Sequence, residues 1–422
     1  MNRDAEILDS MRHIMDPDLG KDIVSLGFIK SLQYDDAGRV SFTVELTTPA
    51  CPIKERFRAQ CEEAVRRLPW VTAVAVTMSA APRAGSNPLL AKAPGLQNVK
   101  HIVAVSSCKG GVGKSTVAVN LAYALSLMGG KVGLFDADIY GPSLPTLVSP
   151  PNRELFMRGE LIQPLEYEGV KLMSFGFVST GNAAGPAIMR GPMVTQVINQ
   201  LLTTTEWGEL DYLVLDLPPG TGDIQLTLTQ LIPITAAVIV TTPQELSFVD
   251  VVKGIQMFDK LKVPTVAVVE NMSYFQCPDC GSKHHVFGQG AKNRLVGQFG
   301  IRNAFEIPLR AEISRLSDSG TPVVLAEPEG PSSELYRAIG ASVVQEISKL
   351  AFGGLARPKV AYAAGQGILI TLADGERRVV DPAVLRRNCR CAQCVEEFTG
   401  RPLLKPESVS PGVYPRSLQP MG

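Results

Sequence analysis

Between His101 and about Leu350, short apolar runs alternate with stretches of helical periodicity. The runs are Ile102–Val105, Val132–Phe135, Val170–Ser174, Tyr212–Leu215, Ala237–Thr241, Val266–Val269 and Ala304–Ile307. None has the in-and-out polar alternation of a half-solvated strand, so each is expected to be buried on both faces. That pattern predicts an α/β fold, a mostly parallel sheet with helices on both faces. Residues 1–79 read differently: a polar helix over Asp4–Met15, a β-rich stretch over Val40–Leu46, a charged helix over Ile53–Leu68 and a Val-rich strand over Val71–Met78. They predict a small α+β domain. Residues 80–99 carry Pro82, Gly85, Ser86, Pro88, Pro94 and Gly95 with little periodicity, the composition of a linker. The α/β domain is expected over 100–352. A small β-rich domain is expected over 361–422, where Ile368–Leu372, Asp374-Gly375 and Arg378–Val380 have the pattern of a hairpin.

The first apolar run of the larger domain leads into Ser107-Cys108-Lys109-Gly110-Gly111-Val112-Gly113-Lys114-Ser115-Thr116 and then into an Ala/Leu-rich helix. Strand, Gly-rich loop and helix in this order form a phosphate-binding loop. The glycines let backbone N–H groups turn inward around a polyphosphate, the Lys114 ammonium reaches the β- and γ-phosphates, and the Ser115 hydroxyl can ligate Mg²⁺. The helix N-terminus adds its dipole. Cys108 occupies the position that is usually the first glycine of such a loop, which therefore has to accommodate a side chain. Two acidic stations follow at strand ends. Asp216 can hold the Mg²⁺ shell, and Asp136 lies near enough to share it or to cap a helix, while Asp138 can orient an attacking water.

Lys+Arg and Asp+Glu both total 41 in 422 residues, so the zero net charge implies neither a nucleic-acid partner nor an anionic membrane. No apolar run approaches the roughly 20 residues that span a bilayer. The eight cysteines fall mostly in short clusters, Cys277/Cys280 and Cys389/Cys391/Cys394, a spacing for metal or cluster ligation in a reducing compartment. Cys277-Pro-Asp-Cys280, with His284 and His285 close behind, fits a zinc knuckle within one chain. It equally fits half of the ligand set of a [4Fe-4S] cluster, two thiolates from each of two chains. Cys51 precedes a helix expected to begin near Ile53, a setting that favours thiolate. Cys61 lies on an apolar helix face and reads as core, as do Trp70 and Trp207.

Lys109-Gly-Gly-Val-Gly-Lys-Ser115 resembles the deviant phosphate loop of the MinD/ParA/nitrogenase-iron-protein class, and the fold it implies is MinD-like. The resemblance implies ATP as ligand and a face-to-face homodimer in which Lys109 reaches the partner's nucleotide. Within that class, Asp136-Ala-Asp-Ile-Tyr-Gly-Pro-Ser143, Met189-Arg-Gly-Pro192, Asp216-Leu-Pro-Pro-Gly-Thr-Gly-Asp223 and Asn271-Met-Ser273 resemble the Mrp/ApbC iron-sulfur carrier ATPases. That likeness implies that Asn271 contacts adenine and that Cys277 and Cys280 ligate a [4Fe-4S] cluster across the dimer axis. It further implies slow ATP hydrolysis, an upstream assembly scaffold as donor and apo iron-sulfur proteins as acceptors. Asp16–Val24, Leu26-Gly27 and Thr47–Pro52 resemble the small iron-sulfur assembly domain, and Cys389-Arg-Cys-Ala-Gln-Cys394 resembles a small zinc-binding domain that in its family continues to a histidine ligand. The C-terminal domain is thus expected to be incomplete, with zinc as its candidate metal. The three together resemble the three-domain chloroplast carriers of this family and their bacterial relatives. A soluble cytoplasmic setting is expected, or the plastid stroma for a chain whose transit peptide is absent. The rival reading is a MinD/ParA-type positioning ATPase switch with a structural zinc site, whose expected mark is a basic amphipathic C-terminal helix or a basic surface; Arg378–Arg390 is basic but contains Pro382.

Overall fold

The computed structural model describes residues 3–46, 48–80, 93–178, 191–220, 222–289, 301, 303–351, 359–363, 367–371, 377–389, 394 and 403–415. Residues 81–92 of the expected linker, Met189-Arg190, Thr221 and Cys391 lie outside them. The chain divides into one unit over residues 1–348 and a second over 349–421.

The first unit opens with α1 (Arg3–Met11), β1 (Ile29–Tyr34), β2 (Arg39–Leu46), α2 (Lys54–Arg66) and β3 (Ala73–Ala80). Strand β2 runs antiparallel to β1 and parallel to β3. Its strict alternation of buried and half-buried positions sets Val40, Phe42, Val44 and Leu46 against the helices. Ile7, Met11, Phe57, Cys61 and Val65 complete that core, so Cys61 is structural as expected. Trp70 is only half-buried; its indole N–H donates to Glu6 and the Arg3 guanidinium sits 4.7 Å over its ring.

The larger sheet uses β4 (Val99–Ser106), β5 (Val132–Asp136), β6 (Leu165–Tyr167), β7 (Val170–Ser174), β8 (Leu210–Asp216), β9 (Ala236–Thr241), β10 (Thr265–Gln276), β11 (Lys283–His284) and β12 (Ala304–Leu309). Its order is β6-β7-β5-β8-β4-β9-β10, with β11 and β12 both on β10. All pairings are parallel except the β6 and β11 hairpins. The helices are α3 (Lys114–Leu127), α4 (Leu144–Leu147), α5 (Gly191–Thr204), α6 (Asp223–Leu231), α7 (Glu245–Lys260), α8 (Ala311–Asp318), α9 (Val323–Ala326) and α10 (Pro331–Ala351). Alternate residues of one strand feed two separate cores. On β4, Val103 and Val105 pack with α3 and α10, while Ile102 and Ala104 pack with α5 and α7. This is why the central runs are apolar throughout, with a helix layer on either side, whereas the outer strands β7 and β12 carry half-buried Lys171 and Glu306. Trp207, fully buried in the second core, is the anchor expected of it. No helix among the described residues is long and apolar enough to cross a membrane.

The second unit holds β13 (Lys359–Ala363), β14 (Gly367–Thr371) and β15 (Arg377–Val380) in one antiparallel sheet, then α11 (Pro382–Arg387). The expected hairpin is β14–β15, with Ile368 opposite Val380. Asp381 caps α11, accepting from the Ala383 N–H at 2.8 Å.

Candidate functional site

The phosphate loop joins β4 to α3. Gly111 and Gly113 have φ of +77° and +80°, so the loop turns through the left-handed region where a side chain is strained. Gly113 is doubly constrained, because a Cβ there would lie 2.2 Å from the Asn271 amide nitrogen. Lys114, 7% exposed, directs its ammonium into a bond with the Asp216 carboxylate and lies 3.3 Å from the Ser115 hydroxyl. Asp216 ends β8 and Asp136 ends β5, and the parallel register sets them opposite one another. Ser115, Asp136 and Asp216 line one small cavity. Lys109, Gly110 and Gly111 are exposed, and Val112 is buried behind them.

Of the two tasks weighed for Asp136, the hydrogen bonds show helix capping. One carboxylate oxygen accepts from the N–H of Asp138 at 3.0 Å; the other accepts from the N–H of Leu144, the first residue of α4, and from the Ser174 hydroxyl, both at 3.1 Å. It caps α4 from eight residues away while facing Asp216. Burial, and then the neighbouring Asp216 charge, push its carboxyl up to about 7. The partly buried Asp138 accepts from the Gly141 N–H at 3.1 Å. Two carboxylates and a hydroxyl around one cavity are hard oxygen donors that suit Mg²⁺.

Cys108 is accommodated by a glycine elsewhere. Its sulfur rests against Gly254 on α7, where an added Cβ would come within 2.4 Å of it. Burial pushes this thiol up to about 11, so it packs as a neutral group. Sequence reasoning missed Gly254, although the departure at Cys108 signalled that a compensating small residue must exist. It also missed Gln225 on α6, 2% exposed, whose amide donates to the Ser106 hydroxyl at the end of β4. With the Gly220 N–H bonded to the Ser107 carbonyl at 2.9 Å, this ties the segment after Asp216 to the loop.

Strand β10 continues seven residues past the expected Val266–Val269 run and changes where the cysteines sit. Cys277 and Cys280 occupy the turn of the β10–β11 hairpin, with Phe275 opposite His284 and Gln276 opposite Lys283. The Cys277 N–H donates to Ser282 and the Gly281 N–H to Cys277, each at 2.9 Å. Cys280 is exposed and Cys277 half-buried. The Cys280 sulfur lies 2.6 Å from the Ser282 hydroxyl, and hydrogen bonds from Ser282, then Cys277, hold its thiol below the ordinary range. The histidines are not gathered to the sulfurs: His285 Nδ1 meets the Ser273 carbonyl at 3.3 Å. Among the described residues no group of three or more His, Cys, Asp or Glu is placed to hold a metal ion. Six residues upstream on the same strand, Asn271 donates to the Val112 carbonyl of the phosphate loop at 2.9 Å.

Cys51 departs from its expectation. Helix α2 begins only at Lys54, and burial outweighs the helix terminus and raises the thiol to about 11. In the second unit Cys394 is buried and its sulfur lies 2.8 Å from the Arg386 guanidinium, with Cys389 half-buried.

A parallel sheet carrying a Gly-rich loop, an inward lysine and two facing carboxylates at its C-terminal edge defines a P-loop nucleotide-binding protein. Residues 98–344 match the model of the ParA family, described as NUBPL iron-transfer P-loop NTPase, and residues 4–77 match that of the iron-sulfur cluster assembly protein family. The chain belongs to the iron-transfer P-loop NTPase family, as its motifs implied. It is 51% identical over 430 residues to the chloroplastic Fe-S cluster assembly factor HCF101 of Oryza sativa subsp. japonica, covering 99% of this chain and 78% of that one. It is 42% identical over 344 residues to the iron-sulfur cluster carrier protein of Deinococcus radiodurans, covering 81% and 95%. Among solved structures it resembles the nucleotide-binding protein of Archaeoglobus fulgidus in complex with ADP, at 38% identity and a TM-score of 0.50, over 57% of this chain and 94% of that one.

Proposed function

We propose that this chain is an ATP-dependent iron-sulfur cluster carrier that holds a [4Fe-4S] cluster between two copies of itself and passes it to apo-proteins. One observation carries the reading: β10 bears both Asn271, bonded to the phosphate loop, and the thiol hairpin at Cys277 and Cys280. A change at the nucleotide is thereby transmitted along a single strand to the cargo. Two hairpin sulfurs are half of the four that the cluster takes, so a second copy completes the set. A site completed only by dimerisation opens when the dimer does, which suits delivery. The family and the names of the rice and Deinococcus relatives support the carrier role. The rival switch with a zinc knuckle draws no support from His285, which is engaged with Ser273.

At the other end, Lys114 and the loop N–H groups would bind the phosphates, Asn271 the adenine, and Lys109 the partner's nucleotide. Ser115 with Asp216 and Asp136 would hold Mg²⁺, which neutralises phosphate charge when bound. Asp138 would orient the water for slow hydrolysis. The cluster would come from an upstream assembly scaffold, in the cytoplasm or, as the rice relative's name suggests, the plastid.

Anaerobic reconstitution with iron and sulfide, followed by mixing with an apo iron-sulfur protein, tests this. The expected result is a cluster chromophore that moves to the acceptor and never forms in Cys277→Ala/Cys280→Ala. Zinc uptake without a sulfide-dependent chromophore would sink the reading.

A further inference from the structure

The N-terminal domain is seated in the ATPase core through one short segment. Thr48 and Ala50 follow β2 and are 3% and 0% exposed. Ala50 packs in the core built around α3 and α10 rather than in its own domain's core. The Tyr212 hydroxyl at the base of β8 bonds to the Thr48 hydroxyl at 2.6 Å. The carbonyl of Pro49 lies 3.4 Å from the Lys54 ammonium, and a Cβ on Gly129 or Gly130 would come within 3.1 Å of that ammonium or 3.5 Å of the Ala50 methyl. The next residue, Cys51, faces a crevice shared by Asp16 and Asp18 of its own domain and by Val344, Gln345 and Ser348 of α10.

The seat grips two elements that also meet at the nucleotide. Helix α3 starts at Lys114 and ends beside Gly129-Gly130, about 21 Å away for its 14 residues. Strand β8 starts beside Tyr212 and ends at Asp216. Lys114 and Asp216 are bonded to each other, which fixes helix against strand at the nucleotide end. A polyphosphate drawing the Lys114 ammonium to itself breaks that bond and frees the two elements to shift.

We propose that the Thr48–Cys51 segment is a nucleotide-sensitive latch: it keeps Cys51 masked against α10 while Lys114 is paired with Asp216, and releases it when nucleotide takes Lys114. The effect is reciprocal, so whatever engages the released Cys51 face also raises nucleotide affinity. While latched, burial keeps this thiol protonated and slow to react.

The test is the rate of iodoacetamide alkylation of Cys51 in the full chain, read by mass spectrometry, with Cys280 as internal reference. Nucleotide saturation is established separately with a fluorescent ATP analogue. Without nucleotide, Cys51 is expected to react at least about tenfold more slowly than Cys280, a hydrogen-bonded core contact being rarely open. Saturating Mg-ATP is expected to speed it about fivefold or more, the release of roughly one hydrogen bond. Ala50→Asp, which puts a charge into the core beneath the segment, should make Cys51 fast with or without nucleotide. Tyr212→Phe should raise the nucleotide-free rate several-fold. An unchanged Cys51 rate at proven saturation overturns the proposal, as does an Ala50→Asp chain as slow as the wild type. If Ala50→Asp does not fold, a Tyr212→Phe rate equal to wild type overturns it as well.

Discussion

The phosphate loop and the thiol hairpin, linked through β10, differ in how much each chain completes alone. At the phosphate loop, the charges are matched within the chain: Lys114 pairs with Asp216, and Asp136 accepts three hydrogen bonds. At the hairpin, hydrogen bonds fix the backbone around Cys277 and Cys280 and favour thiolate at Cys280, but the two have no third or fourth ligand among the described residues. The first region is preorganised for a ligand that arrives from solvent. On the proposed reading the second is a half-site, whose incompleteness would let cargo leave.

Separating the two ends is the largest test. Cys277→Ser/Cys280→Ser should abolish cluster retention while ADP binding, followed by calorimetry, stays within about twofold, because neither residue touches the loop. A parallel loss of ADP affinity would mean the hairpin supports the nucleotide site structurally. Lys114→Ala should cost about a hundredfold in nucleotide affinity, or ~2.7 kcal/mol, in the range for truncating one partner of a buried charge pair. It also leaves Asp216 facing Asp136 without a cation, so the melting temperature of the nucleotide-free chain should fall too.

Smaller effects sharpen the picture of the loop. Gly254→Ala drives a methyl into the Cys108 sulfur and should destabilise by about 1–3 kcal/mol in urea unfolding. Adding Cys108→Gly should restore most of that loss, and failure of rescue would show that Gly254 serves something other than the loop. The pH dependence of Asp136 is the most modest. Its carboxyl is raised from 3.8 to about 7 in the folded chain, so between those values the native state binds more protons than the unfolded one. Stability from this group is therefore present at low pH and is lost as pH rises through about 7, at most ~1.4 kcal/mol per pH unit. Asp136→Asn should flatten that slope in melts taken from pH 5 to 8, and Mg-ATP binding should strengthen over the same rise in the wild type only.

Most of the seven runs of the central sheet were legible because two helix layers make them apolar, and Val170–Ser174 matched to the residue. The loop and acidic stations were legible for a related reason: phosphate chemistry restricts which residues can stand there. The second half of β10 was not, since Asn271-Met-Ser-Tyr-Phe-Gln276 breaks the apolar run, first with the buried polar residues Asn271 and Ser273 and then with the exposed Phe275 and Gln276. β1 was missed because it exposes four of its six residues, and β13 because Val360, Ala361 and Tyr362 are all exposed and leave no buried face to pattern. Cys51 shows the limit of local reasoning. A helix start beside a thiol argues for thiolate, but the burial that reverses it comes from its own domain's core together with α10, nearly 300 residues away in sequence.

The most direct measurement of the central claim is native mass spectrometry of the anaerobically reconstituted chain. The account predicts a species of two chains carrying a single four-iron, four-sulfide cluster, reverting to apo monomer when Cys277 and Cys280 are both replaced. A cluster on each single chain, or a dimer holding zinc and no sulfide, would contradict it.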